Sequence, residues 1–508
     1  MGKPLRGIHE APLLPYSKAL FHQSLGLQAA GGLYRPLSQL RARYAHQGTR
    51  QPHSSSPSLP PSAAKASSYV TVKHDAQIST STRPIPPTPL SILPLSAVIR
   101  SLCITTISSF PVLLTPALGA LSFLASSKSS LFNPDRNVGL KYLLGSTVFP
   151  QFCAGPTPKE VKQCVQRLKD LGFAGVILGY APEVVMNEDE VSGVKENRED
   201  DRAKTLAEID FWRKGTLATV DLADDGFVAL KFSGAGKQAL QHLLRRQPPS
   251  PQLEEAIVEI CERAKARNVP LLFDAEQQAI QPTIDDWTIE FQRRYNNRPD
   301  RRALIYGTYQ AYLRSTPVTL SRHMFVAQSE GFVLGVKLVR GAYLGTEPRH
   351  LIWATKEETD RTYDGIAESL IKRQYGEILK PDPKNQSSSF PEVNLLLASH
   401  NRASVERAQA LRNEQVRTGQ PKIEMAYGQL LGMADDLSCD LIHSGRNKES
   451  DAATVEVPKL YKYVVWGTVG ECMKYLVRRG QENRDAASRT KDTRRAMAKE
   501  LRRRMIGS

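Results

Sequence analysis

The 508-residue chain lacks the features that most quickly classify a basic protein of this size. No strand-like run leads into G-x-G-x-x-G and no G-x-x-x-x-G-K-[ST] occurs, so the common phosphate-cradling loops are absent. The six cysteines (Cys103, Cys153, Cys164, Cys261, Cys439 and Cys472) form no C-x-x-C pair and no tight cluster with histidine. That argues against a disulfide framework or a zinc site and leaves structural thiols in a reducing compartment. Acids are almost missing from the first 75 residues, where Glu10 is the only one before Asp75. The same stretch is rich in Arg, Ser, Gln and Pro and has no apolar leader run, the composition of a mitochondrial transit segment. Charge is missing altogether from Ser101 to Ser127. The run has the length of a membrane span, but Pro111 and Pro116 would interrupt its hydrogen bonding and Ser and Thr dilute it. A helical arm over 76–150, packed on the main domain or touching a membrane surface, is expected instead.

The charge that is present is one-sided, with a formal net of +16. It gathers at the two ends: in the first segment, and in a basic C-terminal helix or tail (486–508) holding Arg494, Arg495, Lys499, Arg502, Arg503 and Arg504. A basic balance alone would fit a nucleic-acid-binding protein. No aromatic residues interleave a basic stripe and no recognisable binding module is present, so no nucleic-acid partner is expected. Residues 186–204 form a charge run and 380–392 a Pro, Ser and Asn-rich stretch; both read as solvated loop insertions.

Between these segments, short β-type runs alternate with amphipathic helical stretches. The runs are 173–180, 227–234, 269–276, 303–312, 332–343, 393–401, 422–432 and 460–467, eight in all, with helical patterns such as 157–172, 251–268, 402–416 and 470–485 between or after them. Alternation of this kind gives a parallel sheet, and eight strands in that rhythm predict closure into a TIM-like (βα)8 barrel over 151–485. Most runs carry an unusual polar residue at or near the C-terminal end, where such barrels assemble their active sites: Lys231, Asp274 and Glu276, Gln310, Lys337 with Arg340 and Tyr343, His400 with Asn401, and Tyr463. Arg478 and Arg479 are adjacent in the last helical stretch, with Glu482 four and three residues on, a spacing that lets the acid brace guanidinium groups gripping a carboxylate.

The strings LLFDAEQQAIQP, YGTYQAYL, VKLVRGAYL, ASHNRAS, YGQLLGM and YLVRRGQEN, in this order, resemble the motif set of the proline dehydrogenases, over roughly residues 95–485. The lead-in LFNPDRNVGLKYLLGSTVFPQFCAG is similar to that of eukaryotic monofunctional members. The resemblance implies FAD-dependent oxidation of L-proline to Δ1-pyrroline-5-carboxylate, with hydride passing from C5 to flavin N5. It also implies electrons passed to a membrane quinone on the matrix side of the mitochondrial inner membrane, with peripheral membrane association. Carried onto this sequence, Arg478 and Arg479 bind the substrate carboxylate from a last helix over the barrel mouth, with Glu482 beside them. Lys231 and Asp274 form the polar floor, and Tyr343, Leu430 and Tyr463 line the substrate ring. Gln310, Lys337, Arg340, His400 and Asn401 take flavin-contacting positions. Lys337 departs from the arginine of many bacterial members. Relatives that oxidise 4-hydroxyproline carry a smaller residue at the Tyr463 position, so tyrosine here favours proline over a hydroxyproline dehydrogenase activity. A catalytically dead barrel kept for interaction is disfavoured by the intact arginine pair, Asp274 and Lys231.

Overall fold

The computed structural model describes residues 88–127, 129–181, 200–385, 389–446, 455–485 and 487–506. The expected transit segment lies outside them, as do 186–199 of the first insertion.

Nine parallel strands are present among the described residues: β1 (Cys153–Gly155), β2 (Gly175–Tyr180), β3 (Phe227–Leu230), β4 (Leu271–Phe273), β5 (Ile305–Gln310), β6 (Leu334–Val339), β7 (Val393–Ala398), β8 (Met425–Leu430) and β9 (Leu460–Trp466). Strands β2 to β9 pair in sequence order, and β9 closes the ring by bonding β2 on one side and β8 on the other. This is the expected eight-stranded barrel, each strand falling within one of the eight runs. The short β1 was not anticipated. Pairing of β8 with β9 stops at Tyr463, and β1 takes up the edge of β9 farther on, opposite Val465 and Trp466.

The strands alternate as a two-residue period requires. Outward residues such as Val228, Leu271, Phe273, Val336, Leu395 and Val464 join the layer between barrel and helices. Inward residues Ile177, Phe227, Ala229, Leu272, Tyr306, Leu396 and Ala426 fill the barrel floor. Counting on by twos puts Lys231, Asp274, Thr308 and Gln310, and Leu430 on the inward face toward the C-terminal ends.

The surrounding helices start and stop where local chemistry dictates. Pro158–Leu171 opens with a capping box between Thr157 and Glu160 and stops at Gly172 in the left-handed region. Lys356–Lys372 has the same box between Thr355 and Glu358. Residues 200–204, expected to be loop, instead open the helix Asp200–Leu222. Arg202, Ala203 and Lys204 are exposed there, and a charge run with good helix propensity needs no apolar period to form a wet first turn. The described parts of 380–392 carry no helix or strand, as expected.

Ahead of the barrel, helices Leu95–Ser109 and Pro111–Ser126 meet at a bend of 102°, and no single described helix is long and apolar enough to cross a membrane. Pro116 sits inside the second helix and Pro111 in its first turn. The basic C-terminal segment is the helix Ala487–Ile506, packed along Leu95–Ser109. Not all of its cations face water: Arg503 and Arg504 turn back onto Glu500, and Arg504 also reaches the carbonyls of Leu90 and Ser91.

Candidate active site

Strand periodicity delivers the site's central contacts. Lys337 on β6 and Asp274 just past β4 are both buried and form a short ion pair inside the barrel. The Tyr463 hydroxyl donates to the other Asp274 oxygen at 3.2 Å, and the Lys337 ammonium lies 5.3 Å from the Tyr463 ring centre. Lys231 Nζ donates to the Tyr343 hydroxyl at 3.4 Å. One carboxylate thus orders a lysine and a tyrosine, a charge-paired arrangement that a barrel interior tolerates because the hydrogen bonds are made.

Gly179 on β2 makes room for this arrangement. A Cβ there would lie 2.9 Å from the Tyr463 hydroxyl.

The mouth is roofed by the helix Val469–Asp485. A small cavity of about 20 Å³ is lined by Tyr180, Trp212, Thr216, Lys231, Tyr463 and Tyr475, so residues of the barrel and of this helix share one cavity. Arg478 and Arg479 stack over the ring of Tyr475 at 5.9 and 5.0 Å. Arg479 is buried and forks onto Glu482 through both terminal nitrogens, while its Nε meets no acceptor among the described residues. The expected brace therefore forms on Arg479. Burial pushes the Tyr475 hydroxyl well above its usual range. Sequence reading missed Tyr475, although its place one helical turn before the arginines was a usable signal.

The expected cofactor set divides in two. Gln310 is used by the scaffold, its amide nitrogen donating to the Glu276 carbonyl at 3.2 Å and its oxygen accepting from Ala342 N at 3.1 Å. Asn401 caps the following helix by accepting from Ser404 N at 3.3 Å. His400 Nε2 accepts from Leu430 N at 3.0 Å. Arg340 pairs with Asp360 at 2.7 Å, donates to Ser404 and stacks on Tyr363 at 4.5 Å, yet its buried Nε has no acceptor among the described residues. The Arg340 side chain is half-buried, and the unused Nε donor at the end of β6 fits an anionic ligand group there.

Leu430 is held from both sides. Besides the His400 contact on its amide, its carbonyl is 3.5 Å from Lys462 Nζ, which also donates to Met433 O at 3.0 Å and pairs with Asp435 at 2.8 Å. Lys462 is 1% exposed and points outward from β9, so it serves the wall of the site from behind. A lysine at an otherwise apolar position of the strand period marked it in the sequence.

The N-terminal arm also reaches the site. Asp135 accepts from Thr468 Oγ1 at 2.9 Å and from Gly470 N at 3.0 Å, capping the mouth helix. A Cβ at Gly480 would lie 2.4 Å from Leu118, so glycine permits the arm's close approach. Ile104, Leu121 and Leu124 of the arm pack in one apolar cluster with Cys472, Met473, Tyr475 and Leu476.

A closed parallel barrel with buried ionic groups at its C-terminal face and an arginine-bearing helix across its mouth defines a (βα)8-barrel enzyme for a small anionic or zwitterionic substrate. The chain belongs to the proline dehydrogenase family, whose model matches residues 161–492. It is 29% identical over 457 residues to a probable mitochondrial proline dehydrogenase of Schizosaccharomyces pombe, covering 81% of this chain and 89% of that protein. It is 26% identical over 414 residues to mitochondrial proline dehydrogenase 1 of Dictyostelium discoideum (72% and 67% covered) and 28% identical over 404 residues to a hydroxyproline dehydrogenase of Bos taurus (72% and 82%). Among solved structures, proline utilization A from Bdellovibrio bacteriovorus shares the fold with a TM-score of 0.53 at 16% identity, over 75% of this chain and 38% of that one.

Proposed function

We propose that this chain is an FAD-dependent proline dehydrogenase of the mitochondrial matrix side of the inner membrane, oxidising L-proline to Δ1-pyrroline-5-carboxylate and passing electrons to a quinone. In this reading residues 1–75 are the transit segment, 76–150 the arm, 151–485 the catalytic domain and 486–508 the basic tail. The observation that carries it is the Asp274 carboxylate, ion-paired with Lys337 and hydrogen-bonded by Tyr463, in a mouth roofed by the helix of the Arg478–Arg479 pair.

Arg478 and Arg479 take the proline carboxylate, with Glu482 fixing the plane of Arg479 so that little freedom is lost on binding. Tyr343, Leu430 and Tyr463 enclose the ring. Lys231 and Asp274 form the polar floor where the secondary amine must give up its proton, to a neighbouring base or an ordered water, before C5 can release hydride. Lys337, Arg340 and His400 would hold FAD, with Gln310 and Asn401 shaping the backbone around it. FAD when bound supplies the hydride acceptor that no side chain offers.

Tyr463 supports proline over 4-hydroxyproline. Its hydroxyl is held by Asp274 and seated against Gly179, so it occupies the space an extra substrate hydroxyl would need. The test is the anaerobic absorbance of purified protein before and after L-proline, then trans-4-hydroxy-L-proline. Bleaching of an oxidised-flavin band by proline and much less by hydroxyproline is expected. The reverse preference would reassign the substrate, and a folded protein that takes up no flavin would refute the reading.

A further inference from the structure

At the C-terminal face of the barrel, two buried carboxylates reach across to the backbone of a neighbouring loop. Glu276, in the loop after β4, accepts from Ser233 N at 3.0 Å, two residues beyond Lys231. Glu347, in the loop after β6, accepts from Gln278 N at 2.7 Å. Taking a carboxylate out of water is unfavourable unless its hydrogen bonds are made. Burial accordingly raises Glu347 above the ordinary carboxylate range, and the Gln278 amide draws it back down. The position is therefore demanding for a charged group, and the contact it makes is a charge-assisted one between two loops of the site.

Glu347 moves with Tyr343. The Tyr343 carbonyl accepts from both Thr346 N and Glu347 N at 3.0 Å, so 343–347 is one closed turn. Ahead of the turn, Gly341 packs on the Tyr312 ring, which a Cβ would meet at 2.4 Å, and Ala342 N is held by Gln310 at 3.1 Å. At the far end the link is Glu347 on Gln278, a residue of the loop that carries Asp274. The circuit then closes, because the Tyr343 hydroxyl meets Lys231 Nζ at 3.4 Å and its ring centre lies 5.9 Å from that ammonium. Lys231 and Ser233 after β3, Glu276 and Gln278 after β4, and Glu347 and Tyr343 after β6 thus hold one another in a ring. A closed ring fixes each loop from both sides, where a chain of contacts open at one end would leave its last member free to drift.

We propose that Glu347 is a positioning residue for the substrate wall: by gripping the Gln278 amide it clamps the turn of Tyr343 to the loop of Asp274, and so keeps Tyr343 in register with Lys231. Its purpose rests on the reading of Tyr343 as a wall of the proline ring; the clamp itself is a matter of geometry. The Glu347 carboxylate reaches a backbone amide, so its influence on the substrate passes through Tyr343 and the wall is set before the ring arrives.

The test combines steady-state kinetics with L-proline, expressed per bound flavin, and hydrogen exchange over 276–280 and 341–348, on the full chain and its variants. Glu347→Ala should lower kcat/KM by about tenfold, mostly through KM, and speed exchange in both loops by about tenfold while the barrel strands keep their protection. Glu347→Asp keeps the charge but is one methylene short, so it should show most of the same loss; it also stands in for the alanine variant if that chain does not load flavin. Glu347→Gln keeps the length and an acceptor and should stay within about threefold of wild type. On a Tyr343→Ala background, Glu347→Ala should add less than about twofold, since no side chain is left to position. Unchanged kinetics in both shortened variants, or the full loss repeated on the Tyr343→Ala background, would overturn the proposal. If proline left the wild-type flavin oxidised, the substrate reading would fall and exchange alone would decide the clamp. Faster exchange in Glu347→Ala, restored by Glu347→Gln, would uphold it, and unchanged exchange would refute it.

Discussion

The Asp135 carboxylate accepts from the Gly470 amide at 3.0 Å, so a residue of the N-terminal arm caps the helix on which the catalytic domain carries Arg478 and Arg479. A free amide in the first turn of that helix and the hydroxyl of Thr468 just before it are both satisfied from about 335 residues away in sequence. Replacing Asp135 by Ala should cost about 1 kcal/mol of helix stability. KM for proline should rise severalfold with kcat little changed, because the grip and not the chemistry is loosened. Asp135→Asn, which keeps an acceptor, should recover most of the loss in steady-state kinetics. An equal fall in kcat and kcat/KM would contradict a positioning role.

Arg479 and Glu482 should behave as one unit. On the proposed carboxylate-binding role, Arg479→Met removes a charge-assisted contact to the substrate and leaves the Glu482 carboxylate without its partner, so kcat/KM should fall by about a hundredfold or more, mostly through KM. Glu482→Gln should cost roughly tenfold, since one good acceptor remains to orient the guanidinium. A double variant no worse than Arg479→Met alone would establish the coupling.

At Tyr463, substitution by serine should shift the ratio of kcat/KM for hydroxyproline over proline upward by about tenfold, in keeping with the value of one contact in a closed pocket. The flavin absorbance should be retained. No change in the ratio would mean that the ring wall is set elsewhere.

A prediction on acid stability comes from behind β5. Tyr309 Oη and His323 Nδ1 lie 2.8 Å apart in a buried pair, and burial, helped by Arg322, depresses His323 to about 3. The unfolded chain therefore binds one more proton than the native one between about pH 6.5 and 3, and stability falls with acid at about 1.4 kcal/mol per pH unit from this group. Burial raises the neighbouring Asp285 to about 7, which gives a slope of opposite sign between the ordinary carboxylate range and pH 7. In wild type the two nearly offset each other between pH 4 and 6.5. In His323→Gln only the Asp285 slope remains, so stability relative to wild type should rise as pH is lowered over that window, as denaturant unfolding at several pH values would show.

The barrel was legible because its strands are short apolar runs bounded by polar ends, and the strand period then put Lys231, Asp274 and Lys337 on one face. The Arg479–Glu482 brace was legible from helical spacing alone. What escaped depends on tertiary neighbours. Strand β1 has three residues and exists only because β8 leaves an edge of β9 open. Asp135 carries no local sign of its distant helix. Gln310 and Asn401, which the resemblance puts at flavin-contacting positions, also bond nearby backbone groups in the fold, and of these only the capping by Asn401 has a local sign, since asparagine is a good helix cap.

The double hold on the Leu430 peptide, from His400 on its amide and Lys462 toward its carbonyl, has a consequence for how this site changes over time. A wall whose backbone is pinned at donor and acceptor cannot accommodate a new ring by shifting a loop. Adjustment on this side must come from exchanging side chains in place, Leu430 and the adjacent Tyr463 first, while the main chain keeps its course. With the substrate ring against Leu430 and Tyr463, as proposed, substrate range at this corner would be written in residue identity, and a single substitution is expected to move it.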